Sequence, residues 1–322
     1  MTIRSSPGTT RSTPARAVAA AVAFVLALGG AVLGPAQPAS AFPGAFFHTQ
    51  REGNRGVDTQ AVQYLLQARG HSTTADGVFG PNTRSSVVAF QDSRGLEDDG
   101  IVGPQTWGAL IVTVRQGDSG AAVRAVQALL NKKRRLSLAV DGVFGSGTHA
   151  AVVAFQNHAG ITADGIVGPT TWQNLVWHYA YPSFTDMCDQ DPDGNGAANW
   201  GTGASIGSLE AAAASFAGSG NGRLPLGDIS FEHGGDIPGH STHEGGLDVD
   251  VWPIRTDSAQ CTAGRITWQS SAYDRAATRL LVQRIRATGR VESIFFNDPT
   301  LISEGLTTNY PNHDNHLHIN YL

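Results

Sequence analysis

Laid against itself at an offset of 65, the chain pairs Asp76-Gly-Val-Phe-Gly80 with Asp141-Gly-Val-Phe-Gly145 and Val87-Val-Ala-Phe-Gln91 with Val152-Val-Ala-Phe-Gln156. The same offset pairs Asp99-Gly-Ile-Val-Gly-Pro104 with Asp164-Gly-Ile-Val-Gly-Pro169, and Trp107 with Trp172. A duplication of this kind restricts the fold more than any other feature, because about 60 residues must form one small unit that is made twice. Val62, Leu65 and Leu66 are spaced for one apolar helix face, and Val87, Val88 and Phe90 for another. Pro104 and Pro169 stand where a third helix begins, ahead of the Trp that can close the core. Each copy is expected to be a three-helix module, over residues 51–113 and 114–178, with 42–50 as a linker.

Before the first copy, Arg4, Arg11 and Arg16 precede an apolar run from Ala17 to Leu33, followed by Ala39-Ser40-Ala41. Positive start, apolar middle and small-x-small site read as a secretory signal peptide over residues 1–41. The run is interrupted by Gly29-Gly30 and falls short of the ~20 residues a span needs, so no membrane span is expected in the mature chain. A net charge of −5 lacks the electrostatic footprint of a nucleic-acid binder. The one basic cluster, Lys132-Lys133-Arg134-Arg135, reads as a solvated helix end. Cys188 and Cys261, the only cysteines, are expected to pair in an oxidising exterior.

The third part, residues 179–322, is where His and Asp gather. Its first window runs His240-Ser-Thr-His243-Glu-Gly-Gly-Leu-Asp248-Val-Asp250-Val-Trp252, in which Leu247, Val249 and Val251 alternate with Asp248, Asp250 and Trp252. That is a strand with both carboxylates on one face, about 6.6 Å apart, so only one of them reaches a given metal. Position 247 is Leu, which rules out the helical HExxH zinc motif. The second window, His313-Asp-Asn-His316-Leu-His318-Ile-Asn-Tyr321, puts His316 and His318 on one strand face. His313 has the opposite parity and joins them only if the chain bends after Pro311. Two same-face histidines beside a His/Asp strand suit a catalytic zinc site of three N/O ligands with an open fourth position.

Both helical copies resemble the peptidoglycan-binding module of bacterial wall hydrolases. Gly239-His-x-x-His243-x-x-Gly-Leu-Asp-Val-Asp250, followed by His313-x-x-His316-x-His318, resembles the signature of the penicillin-insensitive murein endopeptidases. This family is related to D-Ala-D-Ala metallopeptidases and lysostaphin-type enzymes. The resemblance implies zinc ligation by His243, Asp250 and His318, with His316 as general base or transition-state donor and His240 and His313 as further active-site histidines. The carboxypeptidase branch carries a carboxylate three residues before the last ligand, where this chain has Asn315, so the endopeptidase branch fits better. The expectation is thus a multidomain chain, two all-α modules followed by an α+β zinc peptidase domain with a small antiparallel sheet. It would be a secreted, wall-associated monomer that cuts peptide cross-links in peptidoglycan. A D,D-carboxypeptidase or other wall peptidase, or a non-catalytic wall-binding protein, stands as the alternative.

Overall fold

The computed structural model describes residues 44–190, 198–235, 237 and 242–322. The segment read as a signal peptide therefore lies outside the described residues, as does His240. Among the described residues no helix is long and apolar enough to cross a membrane.

The first copy folds into α1 (Val57–Ala68), α2 (Pro81–Ser93) and α3 (Pro104–Leu110), and the second into α4 (Ala121–Arg134), α5 (Ser146–His158) and α6 (Pro169–Trp177). The duplication is finer than the 65-residue offset suggests. Each helix pair is joined by an Asp-Gly turn closed by a buried glutamine: Gln63 Nε2 donates to Asp76, to the Val78 carbonyl and to Thr83. Its Oε1 accepts from the Gly77 amide. Gln91 repeats this with Asp99 and Thr106, Gln127 with Asp141 and Thr148, and Gln156 with Asp164 and Thr171. Gly77, Gly100, Gly142 and Gly165 all have φ between 71° and 77°, which only glycine adopts without strain. Each module is therefore itself two copies of one helix-and-turn unit, spelled Asp-Gly-x-x-Gly-x-x-Thr.

Val57, Leu65, Val123, Val126, Trp107 and Trp172 belong to one continuous core, so the two modules share an interior along the α1–α4 contact. Trp107 donates its indole N–H to the His48 carbonyl and stacks on Phe47. Trp172 donates to Val112 in the same way.

The third part contains β1 (Met187–Asp189), α7 (Gly203–Ala217), β2 (Leu224–Leu226), β3 (Asp248–Val251), α8 (Arg275–Arg286), β4 (Val291–Phe295), α9 (Pro299–Ser303) and β5 (Leu317–Tyr321). The five strands form one sheet in the order β1-β2-β3-β5-β4. Strands β2 to β5 pair antiparallel as expected, while β1 runs parallel to β2 and makes the sheet mixed. Val249, Val251, Leu317 and Ile319 share a core with Leu209 and Phe216 of α7 and Leu281 and Ile285 of α8. By strand alternation, Asp250 and His318 then stand on the other face. A disulfide joins Cys188 of β1 to Cys261, 73 residues apart, as expected.

The basic cluster is not a solvated helix end as a whole, since only Arg135 is exposed. Lys133 is fully buried and pairs with Asp58 of α1, Lys132 pairs with Glu210 of α7, and Arg134 pairs with Glu232. Arg135 lies over the Tyr181 ring at 4.1 Å. A charge run at a helix end reads as solvent-facing in a lone module, but here that end meets α1 of the first module and the peptidase part and finds its counter-ions in both. The backbones also close at this seam, since a Cβ on Gly56 would lie 2.1 Å from the Gly203 carbonyl oxygen.

Candidate metal centre

Three elements converge on one carboxylate oxygen. A short 3₁₀ turn, His243–Gly245, ends at Gly246 with φ 65°, and this left-handed residue turns the chain into β3. Within two turns of sequence, His243 and Asp250 are thereby brought together. Strand β5 then pairs with β3 in a register that sets Asp250 directly opposite His318 and Asp248 opposite Asn320.

His318 Nδ1 lies 2.9 Å from Asp250 Oδ1, and His243 Nε2 lies 3.5 Å from the same oxygen. The three residues are 6% exposed or less, deep enough that a charge here must be answered locally. Burial by itself would raise the Asp250 carboxyl, but hydrogen bonds from His243 and His318 hold it well below the usual carboxylate range. Burial likewise opposes charge on His318, yet hydrogen bonds to Asp248 and Asp250 raise its pKa to about 9. The site thus keeps an ionised carboxylate buried and draws positive charge towards it.

The outer contacts decide which nitrogens face inward. His243 Nδ1 sits 2.7 Å from the Ile229 carbonyl, an acceptor only, so Nδ1 carries a proton and Nε2 is the nitrogen turned to Asp250, the one that would face a bound metal. His318 Nε2 lies 3.2 Å from Asn320 Oδ1 and 3.5 Å from Asp248 Oδ1, which turns Nδ1 to Asp250. Phe295 stacks on the His318 ring with an interplanar angle of 8°. Asn320, Phe295 and the Ile229 carbonyl are positioning groups beyond the sequence-based expectation, and Asp248, which strand parity had placed on the Asp250 face, stands with them on the outer side of His318. Strand parity alone could have flagged Asn320, which is two residues from His318.

His316 comes to the same place. Its Nε2 is 3.9 Å from Asp250 Oδ1, and its Nδ1 lies 2.8 Å from Asn315 Oδ1. Burial lowers its pKa to about 4, with Asp250 opposing the shift. His313 reaches the cluster through the bend that its parity requires: Asn312 takes φ 67°, and the His313 ring stands 4.6 Å from that of His316. Burial lowers the His313 pKa as well.

His243, Asp250 and His318 fit a zinc ion by the chemistry of their donors. Two imidazole nitrogens and a carboxylate oxygen lie within 4.8 Å of one another, each imidazole oriented by an outer contact. The separations of 2.9 and 3.5 Å bracket the ~3.3 Å edge of a tetrahedron with bonds of about 2.0–2.1 Å.

Residues 195–295 match the family model of the penicillin-insensitive murein endopeptidases, and residues 55–110 and 119–175 each match that of the peptidoglycan binding domain. The chain carries two peptidoglycan-binding modules and a murein endopeptidase domain. Among relatives, the N-acetylmuramoyl-L-alanine amidase CwlM of Mycobacterium tuberculosis is 37% identical over 112 residues, 31% of this chain and 28% of its own. The zinc D-Ala-D-Ala carboxypeptidase of Streptomyces albus G is 34% identical over 99 residues, 30% of this chain and 38% of its own. This chain therefore spans well under half of either relative. A crystal structure of a peptidoglycan-binding protein from Clostridioides difficile is 41% identical over 20% of this chain and 40% of its own, with a TM-score of 0.19.

Proposed function

We propose that the protein is a secreted, zinc-dependent endopeptidase that hydrolyses peptide cross-links of bacterial peptidoglycan and is held on the wall by its two N-terminal modules. The observation that carries this reading is the meeting of His243 and His318 on the single buried oxygen of Asp250. His243, Asp250 and His318 would hold the zinc. When bound, zinc supplies Lewis acidity and the activation of water at neutral pH.

The chain's own residues do the rest. His316, with Nε2 aimed at the same oxygen, takes a proton from the attacking water or donates a hydrogen bond to the developing oxyanion. His313, in ring contact with His316, delivers a proton to the leaving amine. His240 adds a further active-site imidazole. Asp248 and Asn320 act on His318 and hold its ring rather than touching substrate. The two modules supply two contacts to one insoluble polymer, and weak contacts that engage together act as a stronger one. The chain acts as a monomer outside the cell after loss of residues 1–41.

Purified muropeptides digested with the protein and resolved by mass spectrometry test this reading. Cross-linked dimers should give way to monomers. Dimers left intact while a terminal residue is trimmed would make the protein a carboxypeptidase, and no change in any species would leave a wall-binding role alone.

A further inference from the structure

A second group of histidines meets where the second module touches the peptidase part. His158 is the last residue of α5, His178 caps the C-terminus of α6, and His233 lies in the loop after β2. Residues far apart in sequence and from two domains thus bring one ligand nitrogen each to within 4.8 Å of one another. His158 Nε2 and His233 Nε2 are 3.3 Å apart, the edge length of a tetrahedron with zinc–nitrogen bonds of about 2.0–2.1 Å.

The rings are set for ligation. His178 Nδ1 lies 2.6 Å from the Asn174 carbonyl, so Nδ1 carries the proton and Nε2 keeps the lone pair. Ile229 orients His243 by the same device in the site described above. Trp177 stacks flat on His233, with rings 7° apart, and fixes its plane. Glu232 Oε1 stands at the edge of the group, 3.3 Å from His158 Nε2. Arg134 pairs with Glu232 and lies 2.9 Å from His158 Nε2.

We propose that His158, His178 and His233 form a second divalent-metal site that staples the second wall-binding module to the peptidase domain. Zinc replaces the Arg134 hydrogen bond on His158, while Arg134 keeps its pairing with Glu232.

Zinc bound per chain, measured after equilibration and gel filtration of the purified protein, tests the proposal. Two zinc ions are expected for the wild type, one for His158→Ala, one for His243→Ala and none for the double variant. A wild type that holds one zinc, lost in His243→Ala and kept in His158→Ala, overturns the second site while leaving the catalytic one standing. Should His158→Ala misfold by circular dichroism, His158→Cys loaded with cobalt decides: a thiolate-to-cobalt charge-transfer band supports ligation by residue 158, and cobalt bound without that band rejects it.

Discussion

Lys133 Nζ lies 2.6 Å from Asp58 Oδ1 with both side chains withdrawn from solvent. Asp58 stands on α1 and Lys133 on α4, so the pair spans the two modules at the end nearest the peptidase domain. Burial lowers the lysine's pKa and Asp58 opposes that shift, while the Val176 carbonyl takes a further hydrogen bond at 2.8 Å. Removing one partner strands the other. Asp58→Ala should cost about 3–5 kcal/mol, whereas Asp58→Leu with Lys133→Met should recover most of it. Denaturant unfolding checks this, and a stable single variant would contradict it.

The repeated glutamines offer a second test. Gln156 is buried and makes three donor bonds and one acceptor bond around the turn at Asp164. Gln156→Leu fills the space but leaves Gly165 N–H and the Ile166 carbonyl without the side chain that joins them. A loss of about 1–3 kcal/mol is expected by thermal or urea unfolding. Gln63→Leu should cost a similar amount, because Gln63 makes the same set of bonds around the turn at Asp76.

Much of this was legible in the sequence, and the failures have physical causes. Proline and glycine mark the starts of α2, α3 and α6, and alternation marks β3 and β5. The half-module repeat is weak in the sequence because only its short Asp-Gly-x-x-Gly-x-x-Thr turn shares an offset: the glutamine lies 13 residues before Asp76 but 8 before Asp99. Helix α7 was missed because Gly203-Ala-Ser-Ile-Gly-Ser has no polar stripe: the helix is buried against both the sheet and α1. The basic cluster at Lys132–Arg135 was misread because its counter-ions, Asp58, Glu210 and Glu232, belong to other domains. At the candidate site, parity brought His316 and His318 together, and the bend at Asn312 that delivers His313 could only be stated as a condition.

The two strand carboxylates should separate in their effect on metal. Asp250 shares its oxygen with His243 and His318, whereas Asp248 reaches only the outer nitrogen of His318. Asp250→Asn should lose the catalytic zinc. Asp248→Asn should keep it with weakened affinity, within the 10–100-fold usual for an outer partner. Competition with a chelator gives both numbers, and equal losses would remove the distinction.

His316→Ala should keep its zinc and its fold while kcat falls by roughly 10²–10⁴, the range usual for losing a base or an oxyanion donor. Zinc loss in this variant would make His316 a ligand. Unchanged kcat would pass the proton-transfer role to His313.

The most direct measurement is the rate at which a purified cross-linked muropeptide dimer is cleaved by wild-type protein, by His318→Ala and by protein stripped with a chelator and then given zinc. The wild type should release monomers, His318→Ala and the stripped protein should fall to background, and added zinc should restore the stripped protein alone. Cleavage at the wild-type rate by His318→Ala, or by protein shown to hold no metal, would contradict a zinc peptidase centred on Asp250.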